Sequence, residues 1–200
     1  MSKKALIVID MQYDFLPGGA LAVQDGDEII PVINRIQSDF DLVVATQDWH
    51  PKGHHSFSST HPGSQVFDVI SLHGNDQVLW PDHCVQGSKG AELTDLLNWE
   101  KVSAIFRKGM DIKVDSYSGF FDNHRLNSTG MAGYFRELEV EEIYVAGLAA
   151  DYCVYYTARD GQELGFRMFY VQNATRAISP ESYGKALADL KSLGVEIVAL

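Results

Sequence analysis

The chain has 200 residues, of which 46% are hydrophobic, and a formal net charge of −11. That length suits one domain with a sizeable core, expected over residues 1–200. No apolar stretch approaches the roughly 20 residues that cross a bilayer, and the acidic balance argues against nucleic acid or an anionic membrane surface as partner. The opening MSKKALIVID has a short apolar run, closed by Asp10, and no small-residue cleavage site. It does not read as a secretory signal. A cytoplasmic address is therefore expected, with Cys84 and Cys153 as reduced thiols.

In chain order, ALIVID (5–10) reads as a buried strand and 27–38 as a helix with an isoleucine and valine stripe. Pro31 falls near its first turn, where proline is best tolerated. DLVVATQ (41–47) is a second strand. Residues 48–89 are rich in His, Pro, Gly and Ser and show no clear period. AELTDLLNW (91–99) predicts a helix and VSAIFRK (102–108) a third strand. Residues 109–128 are irregular and 129–139 helical. EEIYVAGL (141–148) is a fourth strand and 151–164 a helix. FRMFYVQ (166–172) is a fifth strand, 180–193 a helix, and VEIVAL (195–200) a last strand. Strands alternating with helices predict an α/β fold whose mostly parallel sheet is covered on both faces. Sites in such sheets lie beyond the carboxyl ends of the strands.

That rule collects a short set of residues. Asp10 ends the first strand, Asp48 and His50 follow the second, Lys108 ends the third, and Cys153 follows the fourth. Free cysteine is most often a small buried hydrophobe, and Cys84 is read that way. Cys153 stands instead at the start of a helix, where unpaired N–H groups and the dipole favour thiolate. The same N–H groups can hold an oxyanion. Alone, Asp10 reads as a turn cap and Lys108 as a solvated charge. Together with Cys153 they can move a proton and orient a nucleophile. In D-W-H, residues i and i+2 project to one side of an extended segment, so Asp48 and His50 can share a cation. A third ligand is sought among His54, His55, His61, His73 and His83, with His83 favoured by its WPDHC setting. A three-ligand site with open positions suits zinc, iron or manganese.

These residues lie within "VIDMQYDFLPGGALAV", "ATQDWHPKGHHSF", "WPDHCVQGSKGAEL", "FRKGMDIKVDSYSGFFDN" and "VAGLAADYCVYYTARDG". In this order the chain resembles the nicotinamidase/pyrazinamidase branch of the isochorismatase-like cysteine hydrolases. The resemblance implies one three-layer α/β/α, Rossmann-like domain with a six-stranded parallel sheet. It implies a catalytic triad of Asp10, Lys108 and Cys153, and an oxyanion hole from the amides of Ala149 and Cys153. A cis peptide is expected between Leu148 and Ala150. Metal ligands map to Asp48, His50 and His83, with His54 a further candidate and His55 behind it. The expected cofactor is one divalent ion, zinc ahead of iron or manganese. Phe15, Trp80 and Tyr117 match the aromatic walls of a pocket for a small amide. Tyr13 and Ala150 depart from the usual Asn and Thr, at positions without a catalytic role.

The implied reaction is hydrolysis of nicotinamide, and of pyrazinamide, through a cysteine thioester. Three other readings compete. They are an amidase acting on another carboxamide or ureido compound, a metallohydrolase with Cys153 as packing, and a non-catalytic nicotinamide-binding module. Whether copies of the chain form a homo-oligomer is left open by the sequence.

Overall fold

Seven residues, Lys3–Ile9, form strand β1 at the centre of a six-stranded sheet in the computed structural model, which describes residues 2–200. The other strands are β2 (Leu42–Asp48), β3 (Val69–Leu72), β4 (Asn75–Val78), β5 (Val102–Lys108), β6 (Val140–Gly147), β7 (Arg167–Thr175) and β8 (Glu196–Val198). The α-helices are α1 (Ile30–Ile36), α2 (Met131–Glu137), α3 (Cys153–Glu163) and α4 (Pro180–Ser192). Sheet order is β5-β2-β1-β6-β7-β8, and every pairing in it is parallel.

Alternation along β1 builds the layers. Leu6 and Val8 pack with Ile30, Ile33 and Ile36 of α1 on one face. Ala5, Ile7 and Ile9 pack on the other face with Met131 and Phe135 of α2, Val154 and Ala158 of α3, and Leu190 of α4. Burial on both faces is why β1 and β2 read as continuous apolar runs rather than alternating ones. The chain runs from β1 through β2 to β5 on one side, then from β6 through β7 to β8 on the other. The order therefore reverses beside β1, between β1 and β6. A crevice opens at such a reversal, and Asp10 and Cys153 flank this one.

Three expectations need correction. Residues 91–99 form turns, not a helix. The backbone groups a helix would use are taken by other segments. Ala91 O accepts from the side chains of Gln12 and Gln47, each at 2.9 Å, and Thr94 N–H donates to Met11 O at 2.8 Å. Leu93 also makes a bridge with Gln12. Within the aperiodic stretch 48–89, β3 and β4 form an antiparallel hairpin. Its four-residue strands are too short and too exposed to carry a hydrophobic period. Finally, the helix expected over 27–38 is α-helical only at Ile30–Ile36, with 3₁₀ turns on either side.

Candidate active site

Four strand ends supply the site. Asp10, completely buried, leaves β1 with φ +48, a left-handed conformation that Asp tolerates better than most residues. Thr46 fixes it. The Thr46 hydroxyl donates to Asp10 Oδ1 at 2.6 Å and accepts the Asp10 N–H at 3.2 Å. Asp48 ends β2 directly opposite Lys108, the last residue of β5. Gln12 clamps the Asp48 backbone at both ends, donating to its carbonyl and accepting its N–H, each at 2.8 Å.

The Lys108 ammonium joins two groups of residues. Its three N–H bonds go to Asp48 Oδ1, to Ser116 O at 2.9 Å and to Cys153 Sγ at 3.4 Å. Asp10 Oδ2 lies 2.9 Å from the same nitrogen but receives no aligned hydrogen bond. All three donors are already used, so that oxygen is left free to accept from the thiol. Asp10, Asp48 and Cys153 bring their polar atoms within 4.8 Å of one another.

Cys153 is the first residue of α3. The turn before it is shaped by Gly147 at φ +124, where a Cβ would lie 2.1 Å from Ile9 O. Only glycine fits a β6 end pressed this closely against β1. The Leu148–Ala149 peptide is cis, within the expected stretch. Ala150 N–H is spent on Arg176 O at 2.8 Å. Among the described residues, the Ala149 and Cys153 N–H groups make no hydrogen bond to backbone or side chain.

Burial decides the resting charges. It pushes the Cys153 thiol well above its ordinary range, and the opposing Lys108 charge does not undo this. That direction favours a thiol at rest, which leaves a proton beside Asp10, over the thiolate that the helix start alone favours. Burial also raises Asp10, again against Lys108. For Asp48 the balance is reversed. Burial pushes it up, but Lys108, His50 and His83 hold its carboxyl well below the usual range. Burial would neutralise Lys108, yet Asp10, Asp48 and Cys153 keep the ammonium charged.

Asp48, His50 and His83 are all buried, with one donor atom from each inside a 4.8 Å cluster. Asp48 Oδ2 is 3.6 Å from His50 Nε2 and 3.9 Å from His83 Nε2. Both rings are fixed through the opposite nitrogen. His50 Nδ1 meets Gly109 O at 2.9 Å and His83 Nδ1 meets Pro81 O at 2.8 Å. Carbonyls take donors only, so each Nδ1 carries a proton and each Nε2 presents a lone pair or a second proton to the cluster. His50 Nε2 has no hydrogen-bond partner. Two oriented imidazoles and a carboxylate around an orphaned nitrogen fit a divalent ion.

His54 is buried with its ring centroid 4.5 Å from that of His50. Its Nδ1 accepts the Ser56 N–H at 3.2 Å, a bond that assigns the proton to Nε2. Of the remaining candidates, His55 stacks on His73 at 6.0 Å and His61 bonds His55 O at 2.7 Å. None of the three joins a metal-ligating cluster with Asp48.

Phe15, Trp80 and Tyr117 wall a narrow slot that reaches Asp48, His83, Ala149 and Cys153. Phe15 meets His83 edge-on at 5.5 Å. Four further wall residues escaped the sequence reading: Leu21, Ile178, Tyr152 (edge-on to Trp80 at 4.8 Å) and the buried Asp115. Tyr152 precedes the nucleophile position and could have been found from its neighbour. Asp115 sits in an aperiodic loop and carried no signal.

Comparison with known proteins matches this arrangement to one family. The isochorismatase domain family model matches residues 4–200. A nicotinamidase of Acinetobacter baylyi is 44% identical over 196 residues, covering 98% of this chain and 92% of the relative. An Acinetobacter baumanii nicotinamidase/pyrazinamidase structure superposes with a TM-score of 0.97 at 42% identity, covering 100% of this chain and 97% of the other. A Pyrococcus horikoshii pyrazinamidase solved in complex with zinc gives 0.81 at 37% identity, with 99% of both chains covered. The chain belongs to the isochorismatase domain family, on its nicotinamidase/pyrazinamidase branch.

Proposed function

We propose that this chain hydrolyses nicotinamide, and the related pyrazinamide, to the carboxylic acid and ammonia, with Asp10, Lys108 and Cys153 as its catalytic triad. The observation that carries the reading is the Lys108 ammonium. It touches the Cys153 sulfur, the Asp10 carboxylate and Asp48 at once, and Cys153 and Asp48 line an aromatic slot. The relatives named above are nicotinamidases and pyrazinamidases along nearly their whole length.

The flat pyridine ring slides between Phe15, Trp80 and Tyr117, which bury its faces. Asp48, His50 and His83 would hold a divalent ion, which would supply Lewis-acid chemistry at the end of the slot where the ring binds. Zinc is the first choice for two imidazoles and a carboxylate, and it accompanies the Pyrococcus relative. His54 groups instead with His50 and Asp115, beside that cluster. Asp10 Oδ2 takes the thiol proton of Cys153. The sulfur then attacks the amide carbon, and the Ala149 and Cys153 N–H groups hold the oxyanion. When the C–N bond breaks, Asp10 returns the proton to the departing ammonia. A water then loses a proton to Asp10 and attacks the thioester carbon, releasing the acid and regenerating the thiol.

Ammonia release from nicotinamide tests the proposal. Cys153→Ala should lower kcat by about 10⁴-fold or more, with fold and metal content retained. Substantial turnover by that variant would rule out covalent catalysis and leave a metal-assisted hydrolase.

A further inference from the structure

The hairpin β3–β4 carries eight strand residues, and only Gln77 among them is buried, at 6% exposure. A two-stranded ribbon is marginal by itself. Half-buried Val78 packs against the main core, and the one buried side chain of the hairpin is a carboxamide. Gln77 Nε2 lies 2.9 Å from Asp115 Oδ2, 3.1 Å from the Tyr117 hydroxyl and 2.8 Å from Val78 O. Asp115 and Tyr117 both wall the slot; Gln77 does not. The second Asp115 oxygen accepts the Ser116 N–H at 2.8 Å, and the Tyr117 oxygen also accepts the Trp80 indole N–H at 3.2 Å. The Gln77 amide has two hydrogens for three acceptors, so Asp115, Tyr117 and Val78 share it.

We propose that Gln77 is a positioning residue for substrate, a carboxamide on the hairpin that sets the Tyr117 ring and the Asp115 carboxylate against the bound ring. It acts through those two residues and touches none of the reacting atoms. Its effect belongs in ground-state binding, because Asp10, Lys108 and Cys153 receive no bond from it. The inference rests on the nicotinamide reading above.

Gln77→Met keeps the length and removes the donors, and Gln77→Glu keeps the shape and removes them as well. Either variant should raise KM for nicotinamide about tenfold while kcat stays within about twofold. Tyr117→Phe keeps the ring and removes the shared acceptor. Combined with Gln77→Met it should raise KM by less than the product of the two single effects, the mark of coupled groups. A residue that only anchored the hairpin would lower thermal stability and leave KM alone. An unchanged KM in either folded Gln77 variant, or fully additive effects, would overturn the inference while wild-type turnover upheld the reaction. Failure of the wild-type protein to release ammonia from nicotinamide would remove both.

Discussion

In the proposed reaction Asp10 takes its proton from a thiol that burial keeps protonated, so the acid has to be ionised before the reaction starts. Burial opposes this by raising its pKa; Lys108 and the Thr46 hydroxyl pull it down again without winning. Activity therefore rises with pH through a titration displaced upward from the ordinary carboxylate range. Thr46→Val removes the 2.6 Å hydrogen bond to Oδ1 and nearly preserves the volume. With one lowering influence gone, Asp10 titrates higher still. The acid limb of the kcat/KM profile for Thr46→Val should move to higher pH. An unmoved or downward-shifted limb would show that another group governs it. Residues of this kind mark the limit of reading a site from sequence. Asp10, Asp48 and Lys108 were legible because each stands at a strand end, and Cys153 because it starts a helix. Thr46 and Gln12 act from inside or just beyond a strand, through bonds 36 positions away. Nothing local marks such partners.

At the scale of elements, what was legible depended on how much of each element's own pattern decided it. The inner strands β1, β2 and β6 are strongly apolar and buried on both faces, the edge strands β5 and β8 are partly exposed, and all six appear within a few residues of expectation. The helix expected over 91–99 failed because tertiary hydrogen bonds from Gln12, Gln47 and Met11 outbid a local period. The turn between β6 and α3 is the opposite case, since its glycine at 147 is a local residue choice that the close approach to β1 requires. Ile9 and Gly147 are register partners, and a Cβ at 147 would press on a β1 carbonyl that cannot swing away. Gly147→Ala should therefore destabilise the protein by about 2–4 kcal/mol in urea unfolding. Gly184 provides the control. It lies within α4 with nothing near its missing Cβ, so Gly184→Ala should stabilise by about 0.5–1 kcal/mol. A neutral Gly147→Ala would mean that β1 and β6 can part at the site end without cost.

Across the whole molecule, an excess of negative charge is concentrated where it is least tolerated. Asp10, Asp48 and Asp115 are buried together, and Lys108 is the one buried lysine among the described residues. Unpaired buried charge is expensive, and the proposed divalent ion beside Asp48 would relieve it. The ion's presence should therefore be visible in stability apart from catalysis. Binding to the folded state alone contributes about 2.7 kcal/mol at roughly a hundredfold excess over Kd. For a domain of this size that is a rise in Tm of roughly 5–10 °C. Asp48→Ala should abolish the response to added zinc. The pH dependence follows from His50. Burial pushes its imidazole down, but the facing Asp48 carboxylate outweighs burial and the net shift is upward. A protonated His50 cannot ligate, so ion and proton compete for Nε2. As pH rises through that raised titration the proton leaves, and zinc should then stabilise more. Thermal melts with and without zinc across that range should show a gap that widens with pH. A gap independent of pH, or one surviving in Asp48→Ala, would place the ion elsewhere.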